Sequence, residues 1–99
     1  MGYDLYVDGE GVDCPFSASG WDAAATWIEK HAPANTPLRR LAEEEKTDKP
    51  REAAAMLVSL LRHRRAAPDV RITLRLICQW LLQSKTEVRI WDGIEYDED

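Results

Sequence analysis

Hydrophobic and polar residues alternate near the start of the chain. Residues 3–7 alternate with a period of two, which is typical of a half-buried strand. Asp8 and Gly9 follow, a favoured pair for a two-residue type I′ turn, which would place Leu5 opposite Val12. We therefore predict a hairpin with one apolar face. That face carries Tyr3, Leu5, Val12 and Cys14.

A similar pattern closes the chain. Residues 88–91 lead into Asp92 and Gly93, and residues 94–96 follow, which predicts a second hairpin. The acidic tail 95–99 is expected to fray. Because an isolated two-stranded hairpin is marginal in water, we expect the terminal hairpins, or at least their first strands, to pair in one antiparallel sheet.

The segment after the first hairpin has helical spacing. Ser19 is a suitable N-cap, with Asp22 three residues later as in a capping box. Pro33 would stop this helix. Its apolar positions recur every three or four residues, which predicts one buried face. That face carries Trp21, Ala24, Ala25, Ile28 and Ala32.

Two further helices are predicted by their prolines. Thr36 followed by Pro37 is a cap with proline at the first helical position, and this helix is predicted to run through Lys46. Pro50 begins the next helix, which ends before Pro68. Its expected buried stripe is Ala53, Ala54, Leu57, Leu60 and Leu61.

The segment after Pro68 fits two patterns. Even-numbered apolar residues from 70 to 76 alternate with polar ones, as in a strand. The same segment also has a helical face, formed by Val70, Leu74, Ile77, Cys78 and Leu81. We favour a helix from about Pro68 to Ser84, because only the helical pattern continues through residues 77–83. An Ile72 side chain buried in a strand would contradict this.

These elements predict a single α+β domain of 99 residues, with a small antiparallel sheet packed against about four helices. Hydrophobic residues make up 44% and charged residues 31% of the chain, a globular composition. No signal peptide is recognisable, and the apolar runs are far shorter than the ~20 residues that span a bilayer. We expect a cytoplasmic protein without membrane partners, with Cys14 and Cys78 as free thiols.

Charge is segregated along the chain, whose net charge is −5. Residues 1–29 hold six acids and no Lys or Arg, and residues 86–99 hold six acids against Arg89. Residues 30–85 hold the other twelve basic residues and six acids. If both termini form one sheet, the molecule has an acidic strand end and a more basic helical layer. Such segregation can orient a charged partner during approach.

Five arginines lie between residues 60 and 75. Arg71 and Arg75 share one polar stripe of the predicted last helix, while Arg62 and Arg65 lie at the end of the preceding one. A solvated face is the commoner role for such charge runs. The functional alternative is a surface for phosphates or for a carboxylate-rich partner, because the guanidinium fork binds both groups. Nucleic acid is disfavoured by the net negative charge.

No motif for catalysis, metal or cofactor binding is recognisable. The chain lacks nucleophile-elbow, phosphate-loop and zinc-protease patterns, and His31 and His63 have no ligands at metal spacing. Asp4 and Asp13 would lie opposite each other on the polar face of the first hairpin, where two carboxylates alone make a weak cation site. We therefore predict no catalytic residues, no metal and no cofactor.

The favoured function is that of a small, non-catalytic protein-binding module, such as an adaptor, an inhibitor or an immunity-type protein. Its acidic strand end would meet a basic partner. Trp27 falls outside the buried helix face; packing in or at the edge of the core is the commoner fate of such a residue, and an exposed Trp27 would be an interface anchor. The candidate residues are Asp4, Asp8, Asp13, Asp92, Glu95 and Trp27. One alternative is a nucleic-acid-associated regulator that uses Arg62, Arg65, Arg71 and Arg75. Another is a small enzyme completed by a partner subunit.

Overall fold

The computed structural model of the protein describes residues 4–91 as four helices and a four-stranded sheet. This confirms the α+β fold class. In chain order the elements are β1 (Asp4–Val7), β2 (Glu10–Val12), α1 (Ala18–His31), α2 (Pro37–Glu44), β3 (Lys46–Thr47), α3 (Pro50–His63), α4 (Pro68–Gln83) and β4 (Val88–Trp91).

The sheet is antiparallel, with the strand order β2-β1-β4-β3. Leu5 pairs with Val12 across the first hairpin, as predicted, and with Ile90 on β4. Asp8 and Gly9 have φ values of 55° and 86°, the left-handed conformations that a type I′ turn requires at both central positions. The first strands of the two predicted hairpins therefore pair directly. Residues 3 and 92–96, which complete the predicted hairpins, lie outside the described residues.

The sequence prediction missed β3. We predicted that the second helix continues through Lys46, but α2 ends at Glu44. Glu45 is left-handed, with φ 62°, and its carbonyl accepts a hydrogen bond from the Ile90 N–H at 2.8 Å. Lys46 then pairs with Arg89. Residues 46–47 thus pair with the edge of β4 instead of extending α2. A strand of two residues is too short to show an alternating pattern in the sequence.

The first helix begins two residues earlier than predicted. The cap is Ser17, whose hydroxyl accepts a hydrogen bond from the Gly20 N–H at 3.0 Å, so Ser19 lies inside the first turn. The predicted buried face is largely confirmed, because Trp21, Ala24, Ile28 and Ala32 are buried and Ala25 is half-buried. Serines at 17 and 19 are both acceptable caps, and the pattern alone did not separate them.

The helical interpretation of the segment after Pro68 is confirmed. This segment forms α4, in which Leu74, Ile77 and Leu81 are buried. Ile72 is 61% exposed, as expected on the outer face of a helix and not in a buried strand.

The four helices form a closed ring. Helix α1 packs against α2 and α4, and α3 packs against the same two helices. Leu5, Val88 and Ile90 bring the sheet into the same core as the helices. Within the described residues, no helix is long and apolar enough to cross a membrane.

Candidate functional site

Asp8, a candidate for contacting a partner, is occupied by contacts within the protein. Its carboxylate accepts hydrogen bonds from the Ser84 hydroxyl at 2.7 Å, the Lys85 N–H at 2.9 Å and the Thr86 N–H at 2.7 Å. The Thr86 hydroxyl and the Glu87 N–H add bonds of 3.0 and 3.2 Å. We call Asp8 with residues 84–87 the Asp8 cluster.

The Asp8 cluster joins the β1–β2 turn to the loop between α4 and β4. The Thr86 N–H, the Ser84 hydroxyl and the Lys85 N–H together hold the pKa of the Asp8 carboxyl well below its ordinary value. The carboxylate is therefore ionised and structurally used at neutral pH. The Asp8 side chain is nevertheless exposed, and its role in partner binding stays a prediction beside this structural use.

The other acidic candidates are less well defined. Asp4 begins β1 and Asp13 follows β2, and both side chains are exposed. The pairing of Leu5 with Val12 agrees with their predicted proximity. Asp92 and Glu95 lie outside the described residues, so the acidic surface as a set stays a prediction.

Trp27 is not an exposed anchor. Its side chain is 8% exposed, and its indole N–H donates a hydrogen bond to the Arg65 carbonyl at 2.8 Å. Its ring also packs on His31, with ring centroids 4.6 Å apart. The face pattern of the first helix missed this role because the acceptor lies 38 residues away, in the loop between α3 and α4.

We expect Trp27→Phe to lower the free energy of unfolding by about 1–2 kcal/mol, because the ring loses its hydrogen bond and part of its volume. Urea unfolding followed by far-UV circular dichroism measures this loss. Trp80→Phe is the matched control, since Trp80 is half-buried with no side-chain hydrogen bond in the described structure. Equal losses in both variants would show that the Arg65 contact contributes nothing specific.

Three of the four candidate arginines meet at a groove between α3 and α4. Its volume is about 390 Å³. The residues that line it, here called the arginine groove, are Val58, Leu61, Arg62, Arg71, Arg75, Cys78, Gln79 and Leu82.

Simple helical spacing builds this groove. Val58, Leu61 and Arg62 recur at intervals of three or four residues on α3, and the α4 residues do the same from 71 to 82. The two helices are joined by residues 64–67, so α4 returns along α3 and the two faces meet. Arg65, the fourth candidate, lies in this connection and does not line the groove.

The arginines of the groove lack anionic partners in the described part of the chain. There, the Arg39–Glu43 pair on α2 forms a salt bridge at 2.8 Å, and no carboxylate lines the groove. Arg71 makes a long hydrogen bond to the Leu61 carbonyl, at 3.5 Å. This contact places its guanidinium at the end of α3 and leaves most of its donors available.

The remaining groove surface is mostly apolar. Val58, Leu61, Cys78 and Leu82 surround the guanidinium groups, with Gln79 as an uncharged polar neighbour. Burial raises the pKa of the Cys78 thiol, which keeps it protonated at neutral pH and therefore weakly nucleophilic. The arrangement suits the binding of an anion with apolar neighbours more than covalent chemistry.

Other chemistry has little support among residues 4–91. No three His, Cys, Asp or Glu side chains gather closely enough there to hold a metal ion. Burial against Trp27 lowers the pKa of His31, and the charges of Lys30 and Arg64 lower it further. His63 is exposed at the end of α3.

Comparison with known proteins adds no functional information. No protein-family model, no curated protein and no solved structure matches the chain.

Proposed function

We propose that this protein is a non-catalytic protein-binding module, and that it uses the arginine groove to bind an acidic segment of another protein. The observation that carries the proposal is the meeting of Arg62, Arg71 and Arg75 over an apolar surface. Guanidinium groups bind carboxylates through paired hydrogen bonds, and the apolar surface adds contact area beside them.

The proposal differs from our sequence-based hypothesis in the sign of the partner's charge. That hypothesis gave a basic partner to the acidic strand end. Asp8 is used internally, whereas Asp4 and Asp13 remain exposed on the first hairpin. Two solvated carboxylates are a weaker basis for recognition than three arginines around a groove.

Two other hypotheses are affected by the composition of the groove. A site completed by a partner subunit would be favoured by perturbed carboxylates in a cleft, and this groove has no carboxylate. A nucleic-acid surface would use the same arginines, but the net charge of −5 opposes a polyanion more strongly than it opposes a short acidic segment. We therefore treat nucleic acid as an alternative outcome of the test.

The test compares two double variants of equal charge. Arg71→Glu with Arg75→Glu reverses the groove, and Arg40→Glu with Arg51→Glu reverses two exposed arginines elsewhere. The probe is a fluorescein-labelled 16-residue peptide with five glutamates and three leucines, and fluorescence anisotropy is measured at low salt. We expect the groove variant to bind roughly 10- to 100-fold more weakly, since the loss of even one charge-assisted hydrogen bond costs about 1.5–3 kcal/mol. The control should change less than about threefold.

Equal weakening in both variants would show non-specific attraction and would reject the groove as the binding surface. Absence of peptide binding to the unmodified protein would also reject the proposal. Single-stranded and duplex oligonucleotides are measured in parallel. Tighter binding of either one, lost in the groove variant and weakened steeply by salt, would support the nucleic-acid alternative instead.

A further inference from the structure

The arginine groove has two chemically different ends. Arg62 and Arg71 lie beside residues 64–67, the connection between α3 and α4, and Arg75 follows one turn along α4. Cys78 and Leu82 lie further along the same helix face. Eleven residues separate Arg71 from Leu82, a distance of about 16 Å along a helix that rises 1.5 Å per residue. The groove is therefore long enough to contact three turns of a bound helix.

The charged end is continuous with a wider basic surface. Arg64 and Arg65 are exposed in the adjoining connection. Because the described residues supply no salt bridge to Arg62, Arg71 or Arg75, these guanidinium groups can receive carboxylates from outside. The chemistry of this end selects for clustered acids.

The apolar end presents a large aliphatic side chain to solvent. Leu82 is 56% exposed and lines the groove with the half-buried Val58 and the buried Cys78. Ile72 is 61% exposed on the same helix but does not line the groove. Leu82 can therefore contact an apolar side chain of a ligand. Burial of Leu82 and of that ligand side chain removes both from water, which stabilises the complex.

We propose that the groove recognises a two-part segment, an amphipathic helix of a partner protein with clustered carboxylates at one end and a large apolar side chain about two turns away. This inference rests on the proposed function and adds its ligand specificity. Arg75 and Leu82 are about 10 Å apart along α4, which sets the spacing at six to eight residues in a helical ligand.

The ligand also has a preferred direction. Acidic residues are favoured in the first turn of a helix, where they complement the positive end of the helix dipole. A ligand helix with its acidic first turn over Arg62, Arg71 and Arg75 would run from the charged end to Leu82. It would therefore lie parallel to α4 and antiparallel to α3.

Three labelled 16-residue peptides of identical composition test this specificity on the 99-residue protein. In the first, three glutamates precede two leucines by seven residues. In the second the spacing is three residues, and in the third the order is reversed. We expect the first peptide to bind roughly tenfold more tightly than the other two, because only it places carboxylates and apolar groups at both ends of the groove.

Two matched variants locate the apolar contact. Leu82→Ser and Ile72→Ser each remove an exposed aliphatic side chain from α4, and only Leu82 lines the groove. Leu82→Ser should remove the roughly tenfold advantage of the first peptide, and Ile72→Ser should keep it. Because both side chains are exposed, both variants are expected to fold, which circular dichroism checks.

The outcomes separate this inference from the proposed function. The three peptides could bind equally and all bind more weakly to Arg71→Glu with Arg75→Glu. In that case the groove binds acidic peptides regardless of the distance between their glutamates and leucines, and the inference is wrong. If Ile72→Ser abolishes the tighter binding of the first peptide as fully as Leu82→Ser does, Leu82 is not the specific apolar contact. If no peptide binds at all, the proposed function is wrong as well.

Discussion

We expect Asp8→Asn to lower the melting temperature by roughly 10 °C, because the hydrogen bonds to the retained side-chain oxygen lose their charge assistance and the bond from the Lys85 N–H to the second oxygen is lost. Asparagine keeps one carbonyl oxygen but replaces the other with an NH₂ group. That group would face the Lys85 N–H, which now donates to both carboxylate oxygens at 2.9 and 3.0 Å. Asparagine before Gly9 still favours the type I′ turn, so the substitution tests the hydrogen bonds and not the backbone conformation.

Asp13→Asn is the matched control for Asp8→Asn. It makes the same charge change on an exposed residue just after β2, and we expect its melting temperature to stay within about 2 °C of the original. Thermal unfolding followed by circular dichroism measures both. Similar melting temperatures for the two variants would contradict a structural role for the Asp8 cluster.

The contribution of Asp8 to stability depends on pH in a defined direction. Hydrogen bonds from Thr86, Ser84 and Lys85 hold its folded pKa well below the value of about 3.9 typical of unfolded chains. At acidic pH the unfolded chain therefore binds more protons at this site than the folded protein. The stabilisation is complete above the unfolded pKa and is lost as the pH falls through the folded value.

The two proteins should therefore converge in acid. Urea unfolding at pH 7, 5, 4 and 3 should show a large stability difference between the unmodified protein and Asp8→Asn at the two higher pH values. The difference should decrease below pH 4. A difference that stays constant, or grows, as the pH falls would contradict the assignment of Asp8 as an ionised acceptor.

Trp21→Ala should remove about 3–5 kcal/mol from the free energy of unfolding, a drop of roughly 20 °C in melting temperature. Trp21 is 1% exposed and stacks on Phe16, with ring centroids 6.1 Å apart. Domains of this size have free energies of unfolding of about 5–15 kcal/mol, so the variant would be only marginally stable.

Trp80→Ala provides the comparison for Trp21→Ala. Trp80 is half-buried at the edge of the core, and its removal should cost clearly less. Guanidinium unfolding followed by far-UV circular dichroism gives both values, since the helical backbone dominates that signal. A loss below about 1 kcal/mol for Trp21→Ala would show that the core is not organised around this side chain.

Local patterns predicted the elements whose signals are local. Alternation in residues 3–7 with the Asp8-Gly9 pair was sufficient for the first hairpin and its register. Unbroken helical spacing was sufficient for α4, despite the competing strand pattern. The pairing of β1 with β4 was predicted because an isolated two-stranded hairpin is only marginally stable.

Features that depend on distant contacts could not be predicted in the same way. Strand β3 is formed by pairing with β4, and Asp8 finds its donors 76 to 79 residues away. The buried position of Trp27 depends on the Arg65 carbonyl. For the groove, the sequence indicated Arg62, Arg71 and Arg75 as candidates, but it could not show which helix faces meet. The apolar half of the groove was therefore missed, including Val58 and Leu82.

The most direct test of the arginine groove is an ¹⁵N–¹H correlation spectrum of the 99-residue protein, recorded during titration with the peptide in which three glutamates precede two leucines by seven residues. We predict that the amide shifts that change will cluster at residues 58–62 and 71–82, with residues 4–13 unchanged. Changes that cluster at residues 4–13, or that spread evenly over the surface, would contradict the groove as the site at which this protein binds its partner.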